Sequence, residues 1–112
     1  MTEEIRVVLM TAPDMDAARE LSRRLVEERL AACANIVPGL VSIFRWDGEV
    51  KEESEVLVVL KTTGAAVDAL VERASSLHPY DVPEVLALPV VEGHAPYLDW
   101  VRSEVGKDEQ GV

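Results

Sequence analysis

The chain has 112 residues, 48% of them hydrophobic, enough for one packed core and too few for two. Its 11 Lys and Arg face 21 Asp and Glu, a formal charge of −10. A field of that sign repels nucleic-acid backbones and anionic lipid surfaces, so neither is an expected partner, while it attracts cations or simply maintains solubility.

Cys33 is the only cysteine, so no disulfide can form within the chain. The opening Met1-Thr2-Glu3-Glu4 is acidic where a secretory signal is basic, and no apolar run approaches the ~18 residues of a membrane span. A cytoplasmic protein is the expectation.

In chain order, residues 5–10 are apolar except Arg6 and read as a strand buried on both faces, broken by Thr11-Ala12-Pro13-Asp14. Asp14 is a suitable N-cap for a helix running to about Leu30, with Ala18, Leu21, Leu25 and Ala32 on one stripe and Glu20–Arg24 as an i,i+4 pair. Residues 35–46 form a second strand. Asp47-Gly48 then reads as a type I′ hairpin turn, and the return strand ends in the apolar run 56–60. Thr62 or Thr63 is placed to cap a second helix carrying Val67, Leu70, Val71, Ala74 and Leu77, which His78-Pro79 ends. Residues 85–91 make a fourth strand. A last helix opens near Pro96 and carries Leu98, Val101 and Val105. Residues 1–105 are thus one domain, with a polar tail over 106–112.

The order βαββαβ plus a C-terminal helix defines an α+β, ferredoxin-like split βαβ fold with sheet order 4-1-3-2. Proline lacks the donor that an inner strand requires, and Pro38 and Pro89 fall in the two strands assigned to the edges. The arms around Asp47-Gly48 are about twice the usual ~5–6 residues, so the hairpin should project past its sheet. A projecting ribbon bearing Phe44 and Trp46 calls for burial against another subunit; the alternative is that Pro38-Gly39 splits the strand and the remainder folds back on its own core.

Several segments carry a resemblance: Ala31-Ala32-Cys33-Ala34-Asn35-Ile36-Val37-Pro38-Gly39, Trp46-Asp47-Gly48-Glu49-Val50, Leu60-Lys61-Thr62-Thr63, His78-Pro79-Tyr80-Asp81-Val82-Pro83-Glu84 and Tyr97-Leu98-Asp99-Trp100. Their order and spacing resemble the CutA divalent-ion tolerance family over nearly the whole chain. The resemblance implies a ferredoxin-like homotrimer built by sheet pairing between subunits, a link to copper and other divalent metals, and a shape similar to trimeric nitrogen-regulatory signal transducers. It implies no enzymatic activity. Copper-binding members resembling this chain carry a cysteine at the end of the first strand and a His-His pair before Pro-Tyr. Here Met10 and Leu77 stand at those places, and His78 remains.

His78 is an imidazole donor close in sequence to Asp81 and Glu84, a set that suits Cu(II) or Zn(II); equally, a helix-terminal histidine caps the last carbonyls. Met10 offers a soft thioether or fills the core. Cys33, read as lying at the C-terminal side of the first helix where the dipole disfavours a thiolate, is expected to be a buried structural cysteine. Trp46, Lys61 and Tyr80, with Cys33, Asp81 and Glu84, are candidates for a cleft between subunits; Trp46 as interface packing and Lys61 as a strand-end charge are the plainer roles. No nucleophile elbow, P-loop or dinucleotide fingerprint is present. A metal-tolerance trimer that binds copper or another divalent cation weakly is the leading expectation, and a trimeric small-ligand sensor or adaptor the alternative.

Overall fold

The computed structural model describes residues 3–106. Its elements are β1 (Ile5–Ala12), α1 (Met15–Glu27), β2 (Cys33–Trp46), β3 (Glu49–Thr63), α2 (Val67–Leu77), β4 (Val85–Pro89) and α3 (Ala95–Glu104), with a single 3₁₀ turn at Gly64–Ala66. The sheet order β2-β3-β1-β4 is the expected 4-1-3-2 read from the other side, and the edge strands hold Pro38 and Pro89. All three strand pairings are antiparallel.

Helices α1 and α2 cover one face of the sheet. Val8, Met10 and Ala12 of β1 point there, beside Val56, Val58 and Leu60 of β3, and pack against Ala18, Leu21 and Leu25 of α1 and Leu70 and Ala74 of α2. Asp14 caps α1 as expected, its carboxylate accepting from the Ala17 amide at 2.8 Å. The Glu20–Arg24 pair forms at 3.8 Å. Arg73 reaches from α2 to Glu28 with two parallel bonds of 2.9 Å, and this clamp holds the Glu28 carboxyl below its ordinary range.

The opposite face is largely open, which corrects the expectation of a first strand buried on both sides. Val7 and Leu9 are only half-buried, and Val37, Leu86 and Leu88 beside them are exposed. One end of this face is covered by α3, which brings Val101 over Ile5, and at the other end Thr11 and Glu55 are buried.

Several boundaries also differ, the start of β2 at Cys33 rather than residue 35 among them. Strand β1 continues through Thr11 and Ala12, which pair with Leu57 and Val56, because an apolar partner strand is available there. Helix α1 stops at Glu27 rather than near Leu30: Arg29 takes a left-handed φ of 60°, and the amides of Leu30 and Ala31 return to Leu25 O. Ala32 is therefore buried beyond the helix, its amide already bonded to Lys61 O. Neither Thr62 nor Thr63 caps α2. Pairing with Ile5 and Arg6 keeps both in β3, Thr62 Oγ1 donates to Leu30 O at 2.7 Å, and α2 starts only after the 3₁₀ turn. Strand β4 ends at Pro89, opposite Arg6, with one further bond from the Val90 amide to Ile5 O at 3.1 Å. Of the expected polar tail, Gly106 is described and the rest lies outside the described residues.

The hairpin projects. Pairing of β3 with β1 ends at Ala12–Val56, so residues 49–55 of β3 pair with β2 alone. Asp47 (φ 54°) and Gly48 (φ 76°) both adopt the positive φ that a type I′ turn needs. Pro38 and Gly39 do not split β2; they form a bulge opposite Val56, and pairing resumes at Leu40–Glu55.

Candidate functional site

The loop after α2 turns back beside the base of the ribbon. His78 is the C-cap of α2, its amide donating to Ala74 O at 2.9 Å, and Pro79 prevents the helix from continuing. The imidazole is buried at 7% exposure, with Nε2 2.7 Å from Thr11 O. A carbonyl only accepts, so Nε2 carries the proton, and Nδ1 accepts the Tyr80 amide at 3.1 Å. Both ring nitrogens are thus occupied within the chain.

Tyr80, its ring centroid 4.8 Å from that of His78, donates its hydroxyl to Glu55 Oε2 at 2.7 Å. Ser42 Oγ donates to the other oxygen, Oε1, at 2.5 Å. Glu55 is 9% exposed, and each carboxylate oxygen has its own donor, which is how a carboxylate is tolerated at that depth. Burial first, then the bond to Glu55 and the charges of Glu55, Glu53 and Asp14, push the Tyr80 phenol well above its ordinary range.

Two adjoining cavities of about 330 and 420 Å³ open between this loop and the ribbon. Both are walled by Phe44, Trp46 and Tyr80, with Glu55 at the floor; Asp81, Glu53 and Lys51 line one, and Glu84 the other. Four of the cleft candidates, Trp46, Tyr80, Asp81 and Glu84, therefore meet in one place.

Cys33 and Lys61 do not join them. They pair with each other at the opposite end of the sheet, where Lys61 Nζ donates to Asn35 Oδ1. Cys33 also departs from its expected setting, because α1 ends six residues earlier. It is the first residue of β2 and half-buried, its Sγ sharing a hydrogen bond of 3.4 Å with the Tyr97 hydroxyl. That bond, with burial second, raises the Tyr97 phenol above its usual range. Met10 lies in the sealed core at 0% exposure, between Val58 and Val85 on the flanking strands.

Glu55 was not singled out from sequence, although a signal existed. Alternation along a strand puts Glu53 and Glu55 on the face of Lys51, so acidic groups were bound to line up beside Phe44 and Trp46. Among the described residues, no three His, Cys, Asp or Glu side chains converge closely enough to hold a metal ion. The cleft is acidic and aromatic, and its carboxylates are spread along the walls.

A model of the family described as "CutA1 divalent ion tolerance protein" matches residues 6–104. The chain belongs to the CutA1 family. It is 57% identical over 100 residues to the divalent-cation tolerance protein CutA of Thermus thermophilus, covering 89% of this chain and 97% of that protein. It is 47% identical over 98 residues to human protein CutA, covering 88% of this chain and 55% of that longer one. Among solved structures, the Thermus thermophilus CutA1 superposes with a TM-score of 0.89 at 56% identity, covering 91% of this chain and 99% of that one. CutA1 of Oryza sativa superposes with a TM-score of 0.91 at 40% identity, covering 96% and 98%. The split βαβ architecture is thus that of the CutA1 structures, and the chain is a member of a divalent-cation tolerance family. No helix among its described residues is long and apolar enough to cross a membrane.

Proposed function

We propose that this chain acts as a cytoplasmic homotrimeric divalent-cation tolerance protein without catalytic activity, engaging copper or a similar ion weakly in the cleft around Tyr80. The observation that carries the assembly is the open sheet face: Val37, Leu86 and Leu88 remain exposed on it, Phe44 and Trp46 continue that face along the projecting ribbon, and Val41, Ile43 and Val50 are exposed on the ribbon's other face. Apolar area of this extent marks a surface that another protein covers. A ribbon of two strands is marginal in water alone, so a second copy of the chain supplies its missing support.

Weak metal engagement follows from the donor set. A tight site needs several preorganised donors. Here Met10 is sealed in the core, and His78 offers Nδ1 only after the Tyr80 amide releases it. Asp81, Glu84 and Glu53 add carboxylates along the cleft walls, and neighbouring subunits add more. The lone Cys33 as a free thiol suits a reducing compartment. Native mass spectrometry of the protein as isolated reports oligomer and bound species together. Three subunits are expected, and a monomer at micromolar concentration would sink the assembly.

A second reading has support in the aromatic walls of the cleft. Phe44, Trp46 and Tyr80 around about 330 Å³ suit a small organic ligand, which makes a sensor or adaptor resembling the nitrogen-regulatory trimers the alternative. A bound organic molecule with no metal in the same spectrum favours it.

A further inference from the structure

The cleft between the loop after α2 and the ribbon combines two kinds of wall. Phe44, Trp46 and Tyr80 give aromatic surface to both of its cavities, of about 330 and 420 Å³. Carboxylates share the lining, and Glu53, Glu55, Asp81 and Glu84 outnumber Lys51 and Arg45. Glu55 is committed to Tyr80 and Ser42. Glu53 and Asp81 are not. Both are exposed, and among the described residues neither side chain makes an ion pair or hydrogen bond, even with Lys51 in the same wall. The Glu53 charge nevertheless reaches the aromatic wall, acting on the Tyr80 phenol after burial and Glu55.

We propose that this cleft binds a small organic ammonium cation. The proposal rests on the reading of the cleft as a site for a small organic ligand and commits the charge of that ligand. A bare metal ion needs donors that converge on one point, and among the described residues no three His, Cys, Asp or Glu side chains do so. An ammonium group on a carbon skeleton fits the opposite arrangement. Its charge is drawn to aromatic rings, and carboxylates standing apart along the walls add to that attraction without having to meet. Tyr80 is held in place for this by its bond to Glu55 and its contact with the His78 ring. Phe44 and Tyr80 keep the walls aromatic where a second subunit covers Trp46. The same walls repel an anion, and a neutral molecule gains nothing from their charge. Lys51 competes for the carboxylates and so moderates the affinity.

Calorimetric titration of the full chain at neutral pH and fixed ionic strength tests it. Benzylammonium, benzyl alcohol and benzoate serve as probes of similar shape and different charge. Saturable binding is expected for benzylammonium, at least about tenfold tighter than for benzyl alcohol, with none for benzoate. The double variant Glu53→Gln/Asp81→Asn, two exposed positions outside the packed core, should weaken benzylammonium at least about threefold and leave benzyl alcohol unchanged. Lys51→Met should strengthen benzylammonium about twofold. Undiminished binding in the double variant, or benzyl alcohol or benzoate bound as tightly as benzylammonium, overturns the ammonium assignment and leaves the organic-ligand reading in place. Absence of saturable binding by all three probes overturns both.

Discussion

Tyr80 and Glu55, 25 positions apart, are joined by a 2.7 Å hydrogen bond that ties the loop after α2 to the base of the projecting ribbon. Tyr80→Phe keeps the ring and removes the hydroxyl, leaving Oε2 of a buried carboxylate without its donor. A loss of about 1–3 kcal/mol is expected, read as a shift in the denaturant midpoint. A neutral result would mean that water replaces the hydroxyl at no cost.

Burial of the Tyr80 phenol, and after it the bond to Glu55, has a pH signature. The folded phenol titrates above its unfolded value of 10.0, so its contribution to stability is fully present below that pH and is lost as pH rises through the folded value. Alkaline unfolding followed by circular dichroism should show this loss in the wild type and a shallower alkaline limb in Tyr80→Phe. Identical alkaline limbs would contradict the burial of the phenol.

The ribbon turn gives a purely backbone prediction. A Cβ at Gly48 meets nothing within 4 Å, yet φ there is 76°. Gly48→Val therefore costs conformational strain without a clash, about 1–2 kcal/mol, seen as a lower unfolding midpoint. An unchanged midpoint would show that the turn is not held in its type I′ form.

Trp46, 49% exposed in the isolated chain, is expected to become an interface anchor. Trp46→Ala should shift the light-scattering mass below three subunits at low micromolar concentration, while the far-ultraviolet spectrum is retained. A trimer of undiminished dilution stability would remove Trp46 from the contact.

The proposed copper engagement is tested at His78. Competition against a chelator of known copper affinity should give weak binding for the wild type and weaker still for His78→Ala. The variant should also lose about 1–3 kcal/mol of stability, because the Tyr80 amide and Thr11 carbonyl each lose a partner. Tight binding that survives the substitution would refute both the weakness and the donor, and would point to the carboxylates of the cleft.

Local chemistry is legible in the linear chain wherever neighbours in sequence decide the outcome. The Asp14 cap, the Asp47-Gly48 turn, the stripes of α1 and α2 and the edge positions of Pro38 and Pro89 all follow from backbone preference and periodicity, and the strand order follows from the handedness of two crossovers. Contacts between distant segments are different. The left-handed Arg29 that ends α1 and the extension of β3 through Thr62 and Thr63 are set by which partner strand lies alongside. The cleft was half legible: Trp46, Tyr80, Asp81 and Glu84 were identifiable as residue types, but their meeting depends on how the loop after α2 folds back onto the ribbon. Cys33 and Lys61 were separated from them by register, and Glu55 was joined to them by it, since pairing between strands places side chains that sequence distance does not.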